Sequence, residues 1–357
     1  MPTRRSVLAT AGAMAAAAAL PRPLWAEAAG ESLLLADLSR LPAAALQRPA
    51  DGPAAEVIWA DLTAIAAQGL GDDTWGPWAR LTQGFGLEYL AYGGTGGWGR
   101  TAGFIANEVR RFTTLRLDGA VGASLVLDAE AAARAPAVLQ DYGYAAETRD
   151  GLTALAKGGV DNASDLAARD PANPFGGPLG RASRVRIDGD RLDQASTWPL
   201  LAAMTGTAGP QGHADLAGLA AALTTLEAMP LQAMMLADPF GLTTAPPGSG
   251  IAPWRLALLA DVFAEGADHA LALFSYDTAA LAADSAARIA ALWQSQPMPD
   301  GRSFTDVIGP LTTGTAAGAL PVAWARVTQP RGETAQNLAY RRVLQAMMRG
   351  ELTPFAA

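Results

Sequence analysis

The period of apolar and polar positions changes several times along the chain, and each change predicts an element. Residues 56–62 are almost continuously apolar, which predicts a buried strand that runs into a short helix. Residues 184–192 alternate apolar with charged side chains around Asp188-Gly189, which predicts a half-solvated hairpin. The pairs Asp118-Gly119 and Asp150-Gly151 predict two further tight turns, because Asp-Gly supplies the positive backbone angles that short hairpins need.

Four alanine-rich stretches with helical character lie between or after these strands: residues 128–140, 215–229, 277–294 and 333–348. Asp128 and Asp277 are each the first residue of one of these stretches, immediately before its alanine-rich run. An aspartate in that position is typical of a helix start, because its carboxylate accepts from backbone N–H groups that have no partner within the helix.

The segments around these two aspartates are similar to each other. Residues 123–132 and 272–281 share a strand, an aspartate and the start of an alanine-rich helix, about 149 residues apart. This spacing is close to half of the chain beyond the N-terminal segment, so it indicates two related halves. The sequence therefore predicts an α+β fold with two similar halves, each an antiparallel sheet of the split β-α-β kind with helices packed on one face.

The proposed organisation has three parts after the N-terminal segment. Residues 29–55, rich in alanine and proline, are expected to form a poorly ordered lead-in. The turn-rich stretch 170–178 has the composition of a linker, which places the boundary between a first half, residues 56–175, and a second half, residues 176–357.

The first 28 residues have the anatomy of an export signal. Arg4 and Arg5 make a positive start, residues 7–20 form an apolar stretch too short to span a bilayer as a helix, and Ala26-Glu27-Ala28 offers a small-x-small cleavage pattern. We expect cleavage after Ala28. An uncleaved N-terminal anchor is the alternative, which prolines 21 and 23 oppose because they would end the helix.

The segment Thr3-Arg4-Arg5-Ser6-Val7-Leu8 resembles twin-arginine signals. It departs from their usual pattern at Val7, where phenylalanine is common, and at Ala9, where lysine is common. The resemblance implies a bacterial protein that folds in the cytoplasm, crosses the membrane through the twin-arginine translocase and is released into the periplasm by a signal peptidase.

Composition removes several function classes. The 34 acidic residues exceed the 26 basic ones, and a net charge of −8 opposes binding to nucleic acid or to an anionic membrane surface. The absence of cysteine excludes disulfides and thiolate metal sites. The two histidines, His213 and His269, give little material for a metal site or for acid–base catalysis near neutral pH. We therefore expect no catalytic set, metal or cofactor.

One aromatic segment is the candidate ligand site. Trp75, Trp78, Tyr89, Tyr92 and Trp98 fall among glycines, a composition typical of aromatic walls that stack on sugars or flat ligands. Core packing of a loop-rich region is the other interpretation. If the aromatic segment binds a ligand, the protein is a soluble, non-catalytic ligand-binding or accessory protein. Its partner after export is then a small molecule or an envelope protein.

A glycine motif supports an alternative function. Residues Gly94-Thr95-Gly96-Gly97-Trp98-Gly99 match G-x-G-x-x-G, with Asp118 about 20 residues further on. This interpretation predicts an exported oxidoreductase that binds a nicotinamide cofactor at Gly94, Gly96 and Gly99. The bulk of Trp98 in the phosphate turn and the hairpin pattern of the surrounding chain oppose it.

Overall fold

The structure is a computed structural model, and it describes residues 33–46, 55–87, 94–205, 214–236, 250–318, 320–352 and 355. The predicted export signal, with Arg4, Arg5 and the cleavage position Ala28, lies outside these residues, and of the predicted lead-in 29–55 the structure describes residues 33–46 and 55. No helix in the described ranges is long and apolar enough to cross a membrane.

Twelve strands in the described ranges form one antiparallel sheet in the order β11-β12-β10-β9-β8-β1-β2-β3-β7-β6-β5-β4. The strands are β1 (Glu56–Asp61), β2 (Val109–Leu117), β3 (Ala120–Leu127), β4 (Ala145–Arg149), β5 (Leu152–Lys157), β6 (Ser183–Asp188), β7 (Arg191–Ala195), β8 (Pro230–Leu236), β9 (Ala257–Ala264), β10 (Ala267–Ser275), β11 (Leu311–Ala316) and β12 (Val322–Pro330).

The α-helices that accompany the sheet are α1 (Leu33–Leu38), α2 (Leu62–Ala67), α3 (Trp98–Thr101), α4 (Ala129–Asp141), α5 (Trp198–Thr205), α6 (Ala214–Thr225), α7 (Ala279–Ser295), α8 (Phe304–Val307) and α9 (Leu338–Met348). Short 3-10 turns lie at Ala43–Leu46, Pro77–Arg80, Gly94–Gly97, Ala106–Glu108, Leu166–Ala168 and Gly177–Leu179. The predicted α+β class is confirmed.

The sheet is continuous, so the two halves share one sheet instead of having one each. On either side of the central pair β1–β8 the order is similar: β1, β2 and β3 on one side, β8, β9 and β10 on the other. Helix α4 follows β3, and the later strand β7 pairs with β3. In the same way, helix α7 follows β10, and the later strand β12 pairs with β10. The predicted boundary after residue 175 falls between β5 and β6, which pair directly. A duplication, and the division 56–175 and 176–357, stay predictions.

The helices cover both faces of the sheet, which corrects the expectation of a single covered face. We name the faces by one helix each. On the α4 face, Ile58 and Phe112 pack with α2, α3 and α4, and Leu259 and Phe274 pack with α7, α8 and α9. On the α6 face, residues such as Trp59 pack with α1, α5 and α6. Helices are needed on both faces because the central strands are apolar on both sides and each side must be removed from water.

The predicted Asp-Gly hairpins are present. Asp118 and Gly119 have φ of 49° and 77° between β2 and β3, and Asp150 and Gly151 have φ of 50° and 81° between β4 and β5. Positive φ at both central residues gives the turn a twist that matches the right-handed twist of the strands. The third predicted hairpin joins β6 to β7.

The capping aspartates behave differently from the prediction. Asp128 occupies the N-cap of α4 but makes no side-chain cap hydrogen bond. The α7 helix is capped by Thr278, whose hydroxyl accepts from Leu281 N at 3.2 Å. The carboxylate of Asp277 accepts instead from Arg255 Nη1 at 2.8 Å. An arginine within reach is a stronger partner for a carboxylate than a backbone amide.

Candidate functional site

A groove of about 580 Å³ opens on the α4 face of the sheet, near the turn between β2 and β3. Its floor is formed by β1, β2, β3 and β7 through side chains that include Ile58, Thr114, Val121, Ala123 and Gln194. Residues 83–87 form one wall and residues 174–181 the other. Helices α2, α3 and α4 cover neighbouring parts of this face, so at the groove the core of the first half approaches the surface.

The first wall lies close to the sheet because it contains glycines in special conformations. Gly84 has φ of 125°, and a Cβ atom there would lie 2.6 Å from the ring of Phe112. Gly86 has φ of 77°, and its Cβ would overlap the indole of Trp98. Residues other than glycine rarely adopt these backbone angles. Between the two glycines, Phe85 is buried against Trp98 at 5.5 Å between ring centroids.

The second wall is held by the same cluster of rings. Phe175 is buried and its centroid lies 6.3 Å from that of Phe85. The Oδ1 atom of Asn173 accepts from Phe175 N at 2.9 Å, which fixes the start of the turn. Gly176 has φ of 82° and would meet the Cβ of Arg181 at 2.7 Å if it carried a side chain. The predicted linker stretch 170–178 is therefore a closely packed wall of the groove.

One arginine of the groove, Arg181, has a buried Nε atom without a partner in the part of the chain that the structure describes. This atom donates no hydrogen bond to the described residues, and the guanidinium forms no ion pair with them. The second arginine of the lining, Arg116, lies 3.6 Å from the carboxylate of Glu56, and both side chains are largely exposed. On the floor, the Nε2 atom of Gln194 donates to Ser183 Oγ at 3.4 Å. Within the groove, the positive charge that the described residues leave unpaired therefore lies at Arg181.

The structure divides the aromatic residues predicted for ligand binding. Trp78 and Trp98 are 1% and 0% exposed, with their centroids 6.1 Å apart in an edge-to-face contact. Phe112 stacks on Trp78 at 5.9 Å, so these indoles pack against other rings of the core. Trp75 is 38% exposed and lines a different, shallower groove together with Gln336. Tyr89 and Tyr92 lie outside the described residues.

The glycine motif does not have the surroundings that a dinucleotide site requires. Gly94–Gly97 is a 3-10 turn and the α3 helix that follows has four residues. A Cβ at Gly97 would overlap Ala172, so this glycine serves packing between loops. Every strand pairing in the described ranges is antiparallel, whereas the motif belongs to a parallel β-α-β unit. Asp118, the expected ribose ligand, occupies the β2–β3 turn.

The one histidine that the structure describes, His269, has protein partners on both ring nitrogens. The ring of His269 lies between Thr328 Oγ1 at 3.0 Å and the carbonyl oxygen of Ala264 at 3.3 Å, and burial lowers the pKa of this histidine. His213 lies outside the described residues. Within the described ranges no group of three histidine, aspartate or glutamate side chains is arranged to hold a metal ion.

Sequence reasoning missed the residues that build this groove. Arg181, Gln194 and Thr114 come from a loop and two strands that are distant along the chain, so no local pattern joins them. A signal was nevertheless present: Gly84-Phe85-Gly86 and Phe175-Gly176-Gly177 both place a phenylalanine beside glycines. Such a pairing is typical of a turn that is anchored in a core by one ring while its backbone stays close to its neighbours.

Comparison with known proteins gives no family. No protein-family model matches the chain, and no curated protein matches it. Among solved structures, a crystal structure of TP0453 matches with 6% sequence identity and a TM-score of 0.34, covering 86% of this chain and 97% of that one.

Proposed function

We propose that this chain is a non-catalytic ligand-binding protein of the bacterial periplasm, and that its ligand occupies the groove between residues 83–87 and 174–181. The observation that carries the proposal is a groove of about 580 Å³ that contains an arginine whose buried Nε atom has no hydrogen-bond partner among the residues with a described position. Concave sites of a few hundred Å³ with an apolar lining and a few polar groups are the usual form of small-molecule sites.

The chemistry of the lining favours binding over catalysis. Its polar side chains are the amides of Gln83 and Gln194, the hydroxyl of Thr114, the ion pair of Glu56 with Arg116, and Arg181. Amides and guanidinium groups orient a ligand through hydrogen bonds and keep their protonation state near neutral pH. General acid–base catalysis needs a group that exchanges a proton near the working pH.

Native mass spectrometry on protein purified gently from the source cell tests this proposal. We expect a retained small mass in the native protein and in Val160→Trp, which adds an indole at a residue 74% exposed and outside the groove. The variant Val121→Trp places an indole on the groove floor and should lose that mass. A small mass that is still retained by Val121→Trp would contradict the proposal. So would the absence of a retained mass from the native chain and both variants, if a metabolite library also caused no shift in the thermal unfolding of the native chain.

The periplasmic location rests on the N-terminal segment alone. We propose that Arg4 and Arg5 direct the folded chain to the twin-arginine translocase and that a signal peptidase cleaves after Ala28. Replacing both arginines by lysine keeps the charge and should confine the protein to the cytoplasm in a fractionation experiment. Unchanged release of the double variant would exclude this route.

A further inference from the structure

We infer that the ligand of this groove is a single-chain amphiphile with one oxyanion headgroup, bound by Arg181. This inference rests on the proposed function, since it assumes that the groove is the binding site. It adds the chemical class of the ligand, which follows from the charge and the apolar surface of the groove.

The charge of the lining selects an anion. Two arginines and one glutamate line the groove, which leaves one net positive charge in a chain whose net charge is −8. Glu56 is close to Arg116 and is the natural partner of that arginine, so the unbalanced charge belongs to Arg181. A buried donor without a partner costs free energy that a bound acceptor recovers. The planar guanidinium matches the two oxygens of a carboxylate or phosphate.

The apolar part of the lining selects a chain attached to that anion. Ile58 and Ala123 on the floor, Phe85 and Leu87 on one wall, and Leu179 on the other form an apolar surface beside Arg181. Leu179 is 46% exposed, so the rim of the groove presents apolar surface to solvent. An inorganic anion would gain nothing from these contacts, whereas an alkyl chain gains about 25 cal/mol for each Å² that leaves water. The volume of the groove lies in the range of pockets that bind drug-sized ligands.

The aromatic residues oppose a sugar as the ligand. Sugar sites present the flat face of a ring to the ligand. Phe85 is only 7% exposed and has Trp98, Phe112 and Phe175 around its ring. Its exposed part is thus a small apolar contact at the wall of the groove, which suits an alkyl chain.

The experiment compares two fluorescent probes with the same alkyl chain, 11-(dansylamino)undecanoic acid and its methyl ester. The headgroup of the acid is an anion at neutral pH, and that of the ester is neutral. Each is titrated into protein freed of retained ligand. We expect the native chain to bind the acid at least tenfold more tightly than the ester. Arg181→Gln should reduce this ratio to near one by weakening the acid alone, and Arg181→Lys should keep part of it. Arg169→Gln is the matched control, because Arg169 is an exposed arginine of the same loop region outside the groove.

The outcomes separate the inference from the proposed function. Equal binding of acid and ester, both abolished by Val121→Trp, overturns the headgroup inference and leaves the groove as the binding site. Binding that Val121→Trp does not affect overturns both. Binding of neither probe overturns the amphiphile inference alone, because the proposed function does not specify an amphiphile and is tested by the retained mass. Displacement of the acid by dodecanoate or by dodecyl phosphate shows which oxyanion is preferred. The native comparison of acid with ester needs no substitution, so it is decisive even if an Arg181 variant fails to fold.

Discussion

Arg80 is a fully buried arginine, and its guanidinium joins distant parts of the chain. Its Nε donates to Asp261 Oδ2 at 2.8 Å, and its Nη2 donates to Asp261 Oδ1 at 2.7 Å and to Asp268 Oδ1 at 2.8 Å. Asn337 donates to Asp261 Oδ1 at 2.6 Å. Burial raises the pKa of Asp268, and the nearby charge of Arg80 opposes that rise. The cluster thus fixes the loop after α2 on strands β9 and β10.

Replacing Arg80 by methionine should destabilise the protein strongly. The substitution leaves two buried carboxylates without their cation, which costs about 3–5 kcal/mol in comparable buried pairs. Urea unfolding followed by circular dichroism measures this loss. Arg302→Met is the control, because Arg302 pairs with Asp300 at the surface and should leave the unfolding midpoint nearly unchanged. Similar midpoints for the two variants would show that the Arg80 cluster contributes little.

A second buried polar cluster is centred on Asp37, whose carboxylate holds α1 on the sheet. Its Oδ2 accepts from Trp59 Nε1 at 2.9 Å and from Arg111 Nε at 2.5 Å, and its Oδ1 accepts from Arg191 Nη2 at 2.8 Å. Burial alone would raise the pKa of Asp37, but the hydrogen bonds from Arg191 and Trp59 and the charge of Arg111 together lower it. A lowered folded-state pKa means that the ionised carboxylate stabilises the folded chain.

This stabilisation should depend on pH in a defined direction. It is fully present above the ordinary pKa of 3.8 and is lost as the pH falls through the lower pKa of the folded state. We expect Asp37→Asn to lower the free energy of unfolding at pH 7 by about 1.5–3 kcal/mol, the range for hydrogen bonds to charged groups. The difference between the native chain and the variant should shrink below pH 3.8. A gap that stays constant from pH 7 to 3 in urea titrations would contradict this explanation.

Among the elements, the wall at residues 83–87 depends most on backbone conformation. Gly84→Ala places a Cβ 2.6 Å from the Phe112 ring at a φ of 125°, so we expect a loss of about 1–3 kcal/mol from overpacking and a further loss from backbone strain. Gly159→Ala is the matched control, because no atom lies within 4 Å of its Cβ position and its φ is not in the left-handed region. Thermal unfolding and titration of the dansyl acid measure both effects. If Gly84→Ala and Gly159→Ala had the same melting temperature and the same affinity for the dansyl acid, the wall would tolerate a Cβ atom at residue 84.

The elements also show how far the sequence determines this structure. The β2–β3 and β4–β5 hairpins follow from Asp-Gly pairs, because the turn geometry is local. The β9–β10 hairpin turns at Glu265 and Gly266, with φ of 53° and 74°, and Glu-Gly is a weaker turn signal than Asp-Gly. The pairing of β1 with β8 could not be predicted, because alternation along a strand sets its faces and not its neighbours.

The groove was harder to predict than the elements. The sequence allows two interpretations of Trp78 and Trp98, core packing and ligand contact, because glycines beside aromatic rings are compatible with both. In the structure Gly86 lets the loop approach Trp98 closely, and Gly84 lets it approach Phe112, which stacks on Trp78, so both indoles lie in the core. Arg181 could not be assigned from the sequence, since its lack of a partner depends on which carboxylates the fold brings near it.

At the scale of the whole molecule, one strand pair, β1 with β8, joins strands β1–β7 to strands β8–β12 within the sheet. A chain divided after residue 205 must restore that strand pair, whereas a chain divided after residue 175 must insert β6 and β7 between β5 and β3. We therefore expect co-expressed fragments divided after residue 205 to reassemble and fragments divided after residue 175 to reassemble poorly. Gel filtration and circular dichroism of the purified pairs measure this. Better reassembly from the cut after residue 175 would favour the boundary that the sequence suggested.

The β1–β8 contact also has a consequence for synthesis of the chain on the ribosome. Once β1, β2 and β3 have paired, the free edge of β1 has no neighbour until β8 has been made, more than 100 residues after the end of β3. At translation rates of roughly 5–20 residues per second, this edge stays open for about 5–20 s. An open strand edge is a template for pairing with another chain. Nascent chains of this protein therefore pass through an interval in which neighbouring copies on one messenger RNA are able to associate through β1.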